Sequence, residues 1–312
     1  MTKILVVFGA TGQQGSSIVN FVLNDPELSQ EYRIRAITRD PDSEKAQQLK
    51  EKVEVVKAEW TDRASIEAAL TGVHTVFIVT TFSPVNDYEW QYGTATTTAD
   101  IAVEKGAKYI IFSTLTNVKK ISGGKYSRVV PFDVKAEAEE YIRGLPIKSA
   151  FVSLGSFMEN FAQQPFVSPR PAGDGTWVLE RHTSAETRFP LVDAVGDTGK
   201  FVGAILAEPD KYEGMTFHAA TALYDLEEIA AIIAKHTGRT VVFKQISAEE
   251  WAKTVPWATE VFLEGFSFMD EYGYFGPGSE DLVSWAVKNA RGKLTTFEEY
   301  LEAHPLKLIG SE

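Results

Sequence analysis

The chain has 312 residues, 44% of them hydrophobic, with 31 Lys and Arg against 43 Asp and Glu for a net charge of −12. That length supplies a large core for one elaborated α/β domain, or for a main domain and a smaller one. The negative charge repels a polyanion and argues against direct nucleic-acid binding, and the absence of cysteine excludes disulfides, thiolate nucleophiles and zinc–thiolate sites.

Met1-Thr2-Lys3 run directly into the apolar Ile4–Phe8, with no charged leader, extended apolar region or small-residue cleavage site. No stretch approaches the roughly eighteen apolar residues of a membrane-spanning helix. These features predict a soluble cytoplasmic protein, with the nucleus open to it and no membrane partner. Short β-branched runs predict strands at Lys3–Phe8, Arg33–Thr38, Val53–Lys57, Thr75–Val79, Tyr109–Ser113 and Lys148–Ser153. Amphipathic segments between them predict helices at Gln13–Asn24, Ser43–Lys50, Ala64–Leu70, Tyr88–Lys105 and Phe132–Arg143.

After Gly155 the alternation weakens, and Pro165, Pro169, Pro171, Gly173 and Gly175 rule out one regular element there. The remainder reads as an extended pair around Thr176–Phe189, a helix near Thr198–Leu206, a strand at Thr216–Ala219, a helix at Leu226–His236 and a strand at Val241–Gln245. The expected architecture is α/β: a doubly wound parallel sheet over residues 1–155, and a smaller α+β cap over 156–312 packed on it.

The chemistry concentrates first at Gly9-Ala10-Thr11-Gly12-Gln13-Gln14-Gly15, which follows a strand and opens a helix. Uncapped helix N–H groups and the positive dipole end then face a loop without bulky side chains, a cradle for pyrophosphate. This is the start of a Rossmann-type sheet. Where an NAD site ends its second strand in an acidic residue, this chain reads Thr38-Arg39-Asp40-Pro41. A guanidinium suits a 2′-phosphate, so Arg39 points to NADP(H); with a strand one residue longer, Asp40 would instead meet a 2′-hydroxyl. Ligands of doubly wound sheets lie along the carboxyl edge, which adds Glu59 and Trp60 after the third strand, Thr80, Thr81 and Phe82 after the fourth, and Ser113 and Thr114 at the fifth.

With Val6–Gly15, Thr38–Pro41, Phe77–Thr80, Phe132-Asp-Val-Lys135, Glu139–Tyr141, Phe157-Met-Glu-Asn160, Asp210–Gly214, Tyr224–Ile229 and His236–Gly238, the chain resembles the NmrA-like family of atypical short-chain dehydrogenase/reductases, and within it a branch of cytosolic NADPH sensors. The resemblance implies that the glycine loop and Arg39 hold the dinucleotide and that Lys135 touches its nicotinamide side. It adds Phe157, Met158, Glu159 and Asn160 to the cofactor site, and a position near Gln91, where that branch has lysine. It also implies regulatory protein partners.

The Tyr-x-x-x-Lys pair of classical short-chain reductases is missing: none of the eleven tyrosines has lysine four positions later, and Pro131 stands four before Lys135. Lys135 is therefore the catalytic candidate, either as an acid or base tuned by desolvation or simply as a cofactor contact. The five histidines show no metal-ligand spacing. The aromatic run from Trp251 to Phe275, with Trp257, Phe262, Phe266 and Phe268, is either core or the wall of a cleft. The first functional expectation is an NADP(H) sensor whose loops after Thr80 and Thr114 are ordered by nucleotide and presented to a regulatory protein partner. The second is an NADPH-dependent reductase of a small-molecule carbonyl or conjugated substrate, with Lys135 or water completing proton transfer.

Overall fold

The computed structural model describes residues 2–81 and 88–308. In the first half, strands β1 (Lys3–Val7), β2 (Tyr32–Thr38), β3 (Glu54–Lys57), β4 (Thr75–Ile78), β5 (Tyr109–Thr114) and β6 (Lys148–Leu154) alternate with helices. Those helices are α1 (Gln13–Asn24), α2 (Leu28–Glu31), α3 (Glu44–Lys50), α4 (Arg63–Ala69), α5 (Tyr88–Glu104), α6 (Val118–Ile121) and α7 (Val130–Arg143). Every residue of β4 and β5 is buried, as expected of central parallel strands covered on both faces. One apolar cluster, with Leu5, Val7, Ile111 and Val152, lies on one face, and another, with Val6, Phe8, Ile110 and Phe151, on the other.

The later chain comprises β7 (Ser156–Phe157), α8 (Asn160–Gln163), β8 (Arg170–Pro171), β9 (Trp177–Arg181), β10 (Phe189–Val192), α9 (Ala194–Ala207), β11 (Thr216–Ala219), β12 (Ala222–Tyr224), α10 (Leu226–Thr237) and β13 (Val241–Gln245). Four helices follow: α11 (Ala248–Ala252), α12 (Thr259–Tyr272), α13 (Ser279–Asn289) and α14 (Phe297–Ala303).

The main sheet has seven strands in the order β11-β6-β5-β4-β1-β2-β3, one more than the six read from the first half of the sequence. The addition is β11, which pairs in parallel with β6 from Thr216 opposite Phe151 to Ala219 opposite Leu154. The later half also covers the first: α9 packs on α1, and the Gly199 N–H donates to Ser17 Oγ at 2.9 Å. The expected extended pair at Thr176–Phe189 is not a hairpin. β9 pairs with β8 and β13, whereas β10 pairs with β7 and β12 in a different three-stranded sheet. The connection between them is tied down instead by the Ser184 and Thr187 hydroxyls, which donate to Asp270 at 2.9 and 2.5 Å.

The strand order reverses between β1 and β4, and the crevice at such a switch point lies beyond the carboxyl ends of the strands. The glycine loop, the end of β4 and the N-terminal part of α7 all meet there.

Candidate functional site

The loop after β1 turns sharply. Gly9 has φ +66°, and the Gly12 N–H donates back to the Gly9 carbonyl at 2.9 Å. A Cβ on Gly15 would lie 2.2 Å from that same carbonyl oxygen, so α1 sits directly against the turn. No side chain caps α1 at Gly12, which leaves the first turn around Gln13 and Gln14 open to an external anion. Thr11 is half-buried on this turn.

β2 ends at Thr38, so Arg39 is the first residue past the strand. Arg39 is exposed, and among the described residues no acidic group pairs with it. The Asp40 carboxylate instead accepts the Asp42 N–H at 3.0 Å, and the Asp40 carbonyl accepts from Thr38 and Ser43. The local turn thus engages one oxygen of the Asp40 carboxylate, and the Arg39 guanidinium is exposed beside it. Trp60, at the end of the β3 connection, stacks on Phe8 with ring centroids 4.8 Å apart, while exposed Glu59 pairs with Lys57 at 3.3 Å. Thr81 is exposed, and Phe82 falls outside the described residues.

Lys135 projects from α7 against the end of β4. Its ammonium donates to the Thr80 carbonyl at 3.2 Å, and the Thr114 hydroxyl of β5 donates to the Lys135 carbonyl at 3.3 Å. Removal from water pushes the amine down to about 8, and among the described residues no carboxylate restores it. On the same helix Asp133 is turned elsewhere, accepting the Lys119 N–H at 3.0 Å. Two buried polar atoms near Lys135 have no partner, Thr80 Oγ1 and Gln14 Oε1, and both residues line the cavity beside it. Buried polar groups are ordinarily hydrogen-bonded, so these two stand out among the described residues. Gln91 on α5 is fully buried with both amide atoms unpaired, but it does not line that cavity.

The cavity measures about 530 Å³ and runs from Gln13, Gln14, Thr80 and Lys135 into the cap. Its walls are largely apolar, with aromatic rings from Phe132 of α7, Phe157 and Phe161 around β7 and α8, and Phe262, Phe266 and Phe268 of α12. The aromatic run is accordingly both core and wall, since Trp251 is 1% exposed whereas Trp257, on the cavity rim, is 44% exposed. Of the four residues expected from Phe157 to Asn160, the structure brings Phe157 and Asn160 to the cavity. Met158 does not reach it, because its side chain is fully buried in the cap core with Leu191 and Phe297. Glu159 is spent on α9: its carboxylate accepts the Ala194 and Val195 N–H groups at 3.3 and 3.0 Å, as an acidic side chain at a helix N-terminus should.

Arg181 also lines the cavity, and the sequence reading passed over it. A signal was present: in β9 the residues Trp177, Leu179 and Arg181 alternate on the buried face, so a charged residue occupies a core register position. Among the described residues no cluster of His, Asp or Glu can hold a metal ion, and no helix is long and apolar enough to cross a membrane.

The NmrA-like family profile matches residues 1–301. An NmrA-like family domain-containing protein of Dictyostelium discoideum is 29% identical over 316 residues, covering 99% of this chain and 100% of its own length. An NmrA-like family domain-containing oxidoreductase of Penicillium ochrochloron is 28% identical, covering 98% and 96%. Among solved structures, the negative transcriptional regulator NmrA in complex with NADP superposes with a TM-score of 0.79 at 21% identity, covering 98% of each chain. The fold is therefore that of NmrA, and the chain belongs to the NmrA-like family.

Proposed function

We propose that this protein binds NADP(H) and reduces a conjugated or carbonyl compound in the cavity beside Lys135. The observation that carries the reading is that cavity: about 530 Å³, walled by aromatic rings, and opening at the carboxyl edge of the sheet onto one desolvated lysine. The open first turn of α1 and the unpaired Thr80 and Gln14 atoms fit a dinucleotide, and Arg39 suits the 2′-phosphate. Support for the cofactor comes from the NADP complex of the NmrA neighbour, and support for redox chemistry from the oxidoreductase of Penicillium ochrochloron.

When bound, the dinucleotide supplies a hydride. The chain's own contribution is to hold the substrate against aromatic walls that exclude water, and to place the Lys135 ammonium where a substrate oxygen gains charge. With an amine at about 8, Lys135 carries a transferable proton at neutral pH. No tyrosine is needed for that role.

The test is NADPH consumption followed optically with a panel of enals, quinones and imines. Turnover with at least one class, at a rate well above the protein-free rate, is expected. A protein that binds NADPH yet consumes none with any member overturns the reductase reading, and the sensor acting on a protein partner then becomes the better one.

Cofactor choice has its own check. A charge-assisted guanidinium–phosphate contact contributes about 2 kcal/mol, so Arg39→Ala is expected to weaken NADPH binding about thirtyfold in calorimetric titration and leave NADH binding nearly unchanged. Equal affinities of the wild-type protein for the two cofactors would sink the assignment of Arg39.

A further inference from the structure

Arg181 is the unexplained charge in the cap. It is 1% exposed, at the third inward position of β9. One of its terminal nitrogens, Nη1, donates to the Glu180 carbonyl at 2.7 Å and to the Phe166 carbonyl at 3.5 Å. The other, Nη2, donates to the Val167 carbonyl at 2.6 Å. The Nε–H has no partner, and the guanidinium lies 5.6 Å from the Phe266 ring centroid.

Among the described residues no carboxylate balances this charge. The nearest acidic residue in sequence, Glu180, pairs with Arg170. Burial pushes Arg181 down to about 9, a value that still leaves it protonated at neutral pH. Backbone carbonyls alone are a poor reason to bury a cation, since a neutral donor would satisfy them without the desolvation cost. Of the described residues lining the cavity, the charged ones are Lys135 and Arg181, and none is acidic. Lys135 comes from α7 and Arg181 from β9, and Phe132, Phe157, Phe262 and Phe266 line the same cavity.

We propose that Arg181 anchors an anionic group of the cavity's ligand, so that the site selects planar aromatic or conjugated acids whose carboxylate meets Arg181 while the opposite end lies at Lys135. This rests on the reading of the cavity as a substrate site, but not on turnover. The Nε–H and the second Nη2–H are without an acceptor among the described residues, the guanidinium charge is neutralised by the ligand, and the apolar and aromatic walls fit its ring system. Arg181 acts as a specificity residue through direct ligand contact.

The experiment is calorimetric titration, at pH 7 and saturating NADP⁺, of two unreactive probes of one shape, 2-naphthoate and 2-naphthalenemethanol. The carboxylate is expected to bind at least about tenfold tighter. That preference should disappear in Arg181→Met and be partly retained in Arg181→Lys, with circular dichroism reporting whether each variant is folded. Equal affinity of the two probes for the wild-type protein, or binding of neither, overturns the proposal without reference to any variant. A preference that survives in a folded Arg181→Met but is lost in Lys135→Met also overturns it, by placing the anion at Lys135. If no carbonyl compound supports NADPH oxidation but the naphthoate preference and its Arg181 dependence hold, the reductase reading falls and the anion site stands.

Discussion

Gly15→Ala is expected to raise the dissociation constant for NADPH by about a hundredfold or more and to cost roughly 2–3 kcal/mol of stability. The added Cβ would lie 2.2 Å from the Gly9 oxygen, 2.6 Å from the Gly9 carbonyl carbon and 2.7 Å from Ala10 Cα. All three are backbone atoms with no rotamer to yield, so the turn itself must move, and with it the 2.9 Å hydrogen bond from the Gly12 N–H to Gly9. Gly12→Ala is the informative control. Its Cβ meets only the Gly9 oxygen, at 3.3 Å, so the fold should barely weaken while the methyl occupies the space a pyrophosphate needs. Calorimetric titration alongside urea denaturation separates the two effects. Unchanged NADPH binding by Gly15→Ala would remove the loop from the cofactor site.

Lys135→Met is expected to lower NADPH-dependent turnover by about 10³ and, at the same time, to stabilise the unliganded protein at pH 7. Both effects follow from one buried ammonium whose hydrogen-bond acceptor is the Thr80 carbonyl. Its amine is pushed from the ordinary 10.5 to about 8, which corresponds to about 3 kcal/mol of lost stability while the group is charged. Below pH 8 the lysine is protonated in both folded and unfolded states, and the whole cost is present. Between about 8 and 10.5 the unfolded chain binds more protons than the folded one, so stability climbs with pH. In Lys135→Met that climb should vanish from the difference between urea curves at pH 7, 9 and 10.

Turnover has the opposite slope, because the proton is what the lysine contributes. It should be level below about pH 8 and fall above it, with bound phosphates moving the break upward through their negative charge. If Lys135→Met keeps wild-type turnover and only weakens NADPH binding, Lys135 is a cofactor contact and the proton comes from water.

The two halves of the site differ in how they can be read. The glycine loop was legible because strand, turn and helix are contiguous within the first 24 residues, and the predicted Gln13–Asn24 helix coincides with α1. Arg39 was legible by adjacency, whereas the strand end at Thr38, which makes Arg39 the first residue past β2, is a feature of the fold. Phe157 to Asn160 were legible only as a block. Within those four residues the chain leaves β7 and enters α8, so successive side chains point in different directions. Which of them meets a ligand is a matter of packing, and packing sent Met158 into the cap core and Glu159 to the start of α9.

By itself the sequence determined the local chemistry: a glycine turn that opens a helix, a guanidinium after the second strand, a lysine on an amphipathic helix, and no Tyr-x-x-x-Lys pair. Each of these is set by residues close together in the chain, where backbone geometry follows from residue type. Only the tertiary structure decided that Thr216–Ala219 completes the sheet as its seventh strand, that α12 supplies aromatic walls to the cavity, and that Arg181 is buried at that cavity without an acidic partner among the described residues. Pairing and burial of this kind join residues scores of positions apart. They depend on which apolar faces find one another across the whole fold, and no local pattern of hydrophobicity encodes that choice.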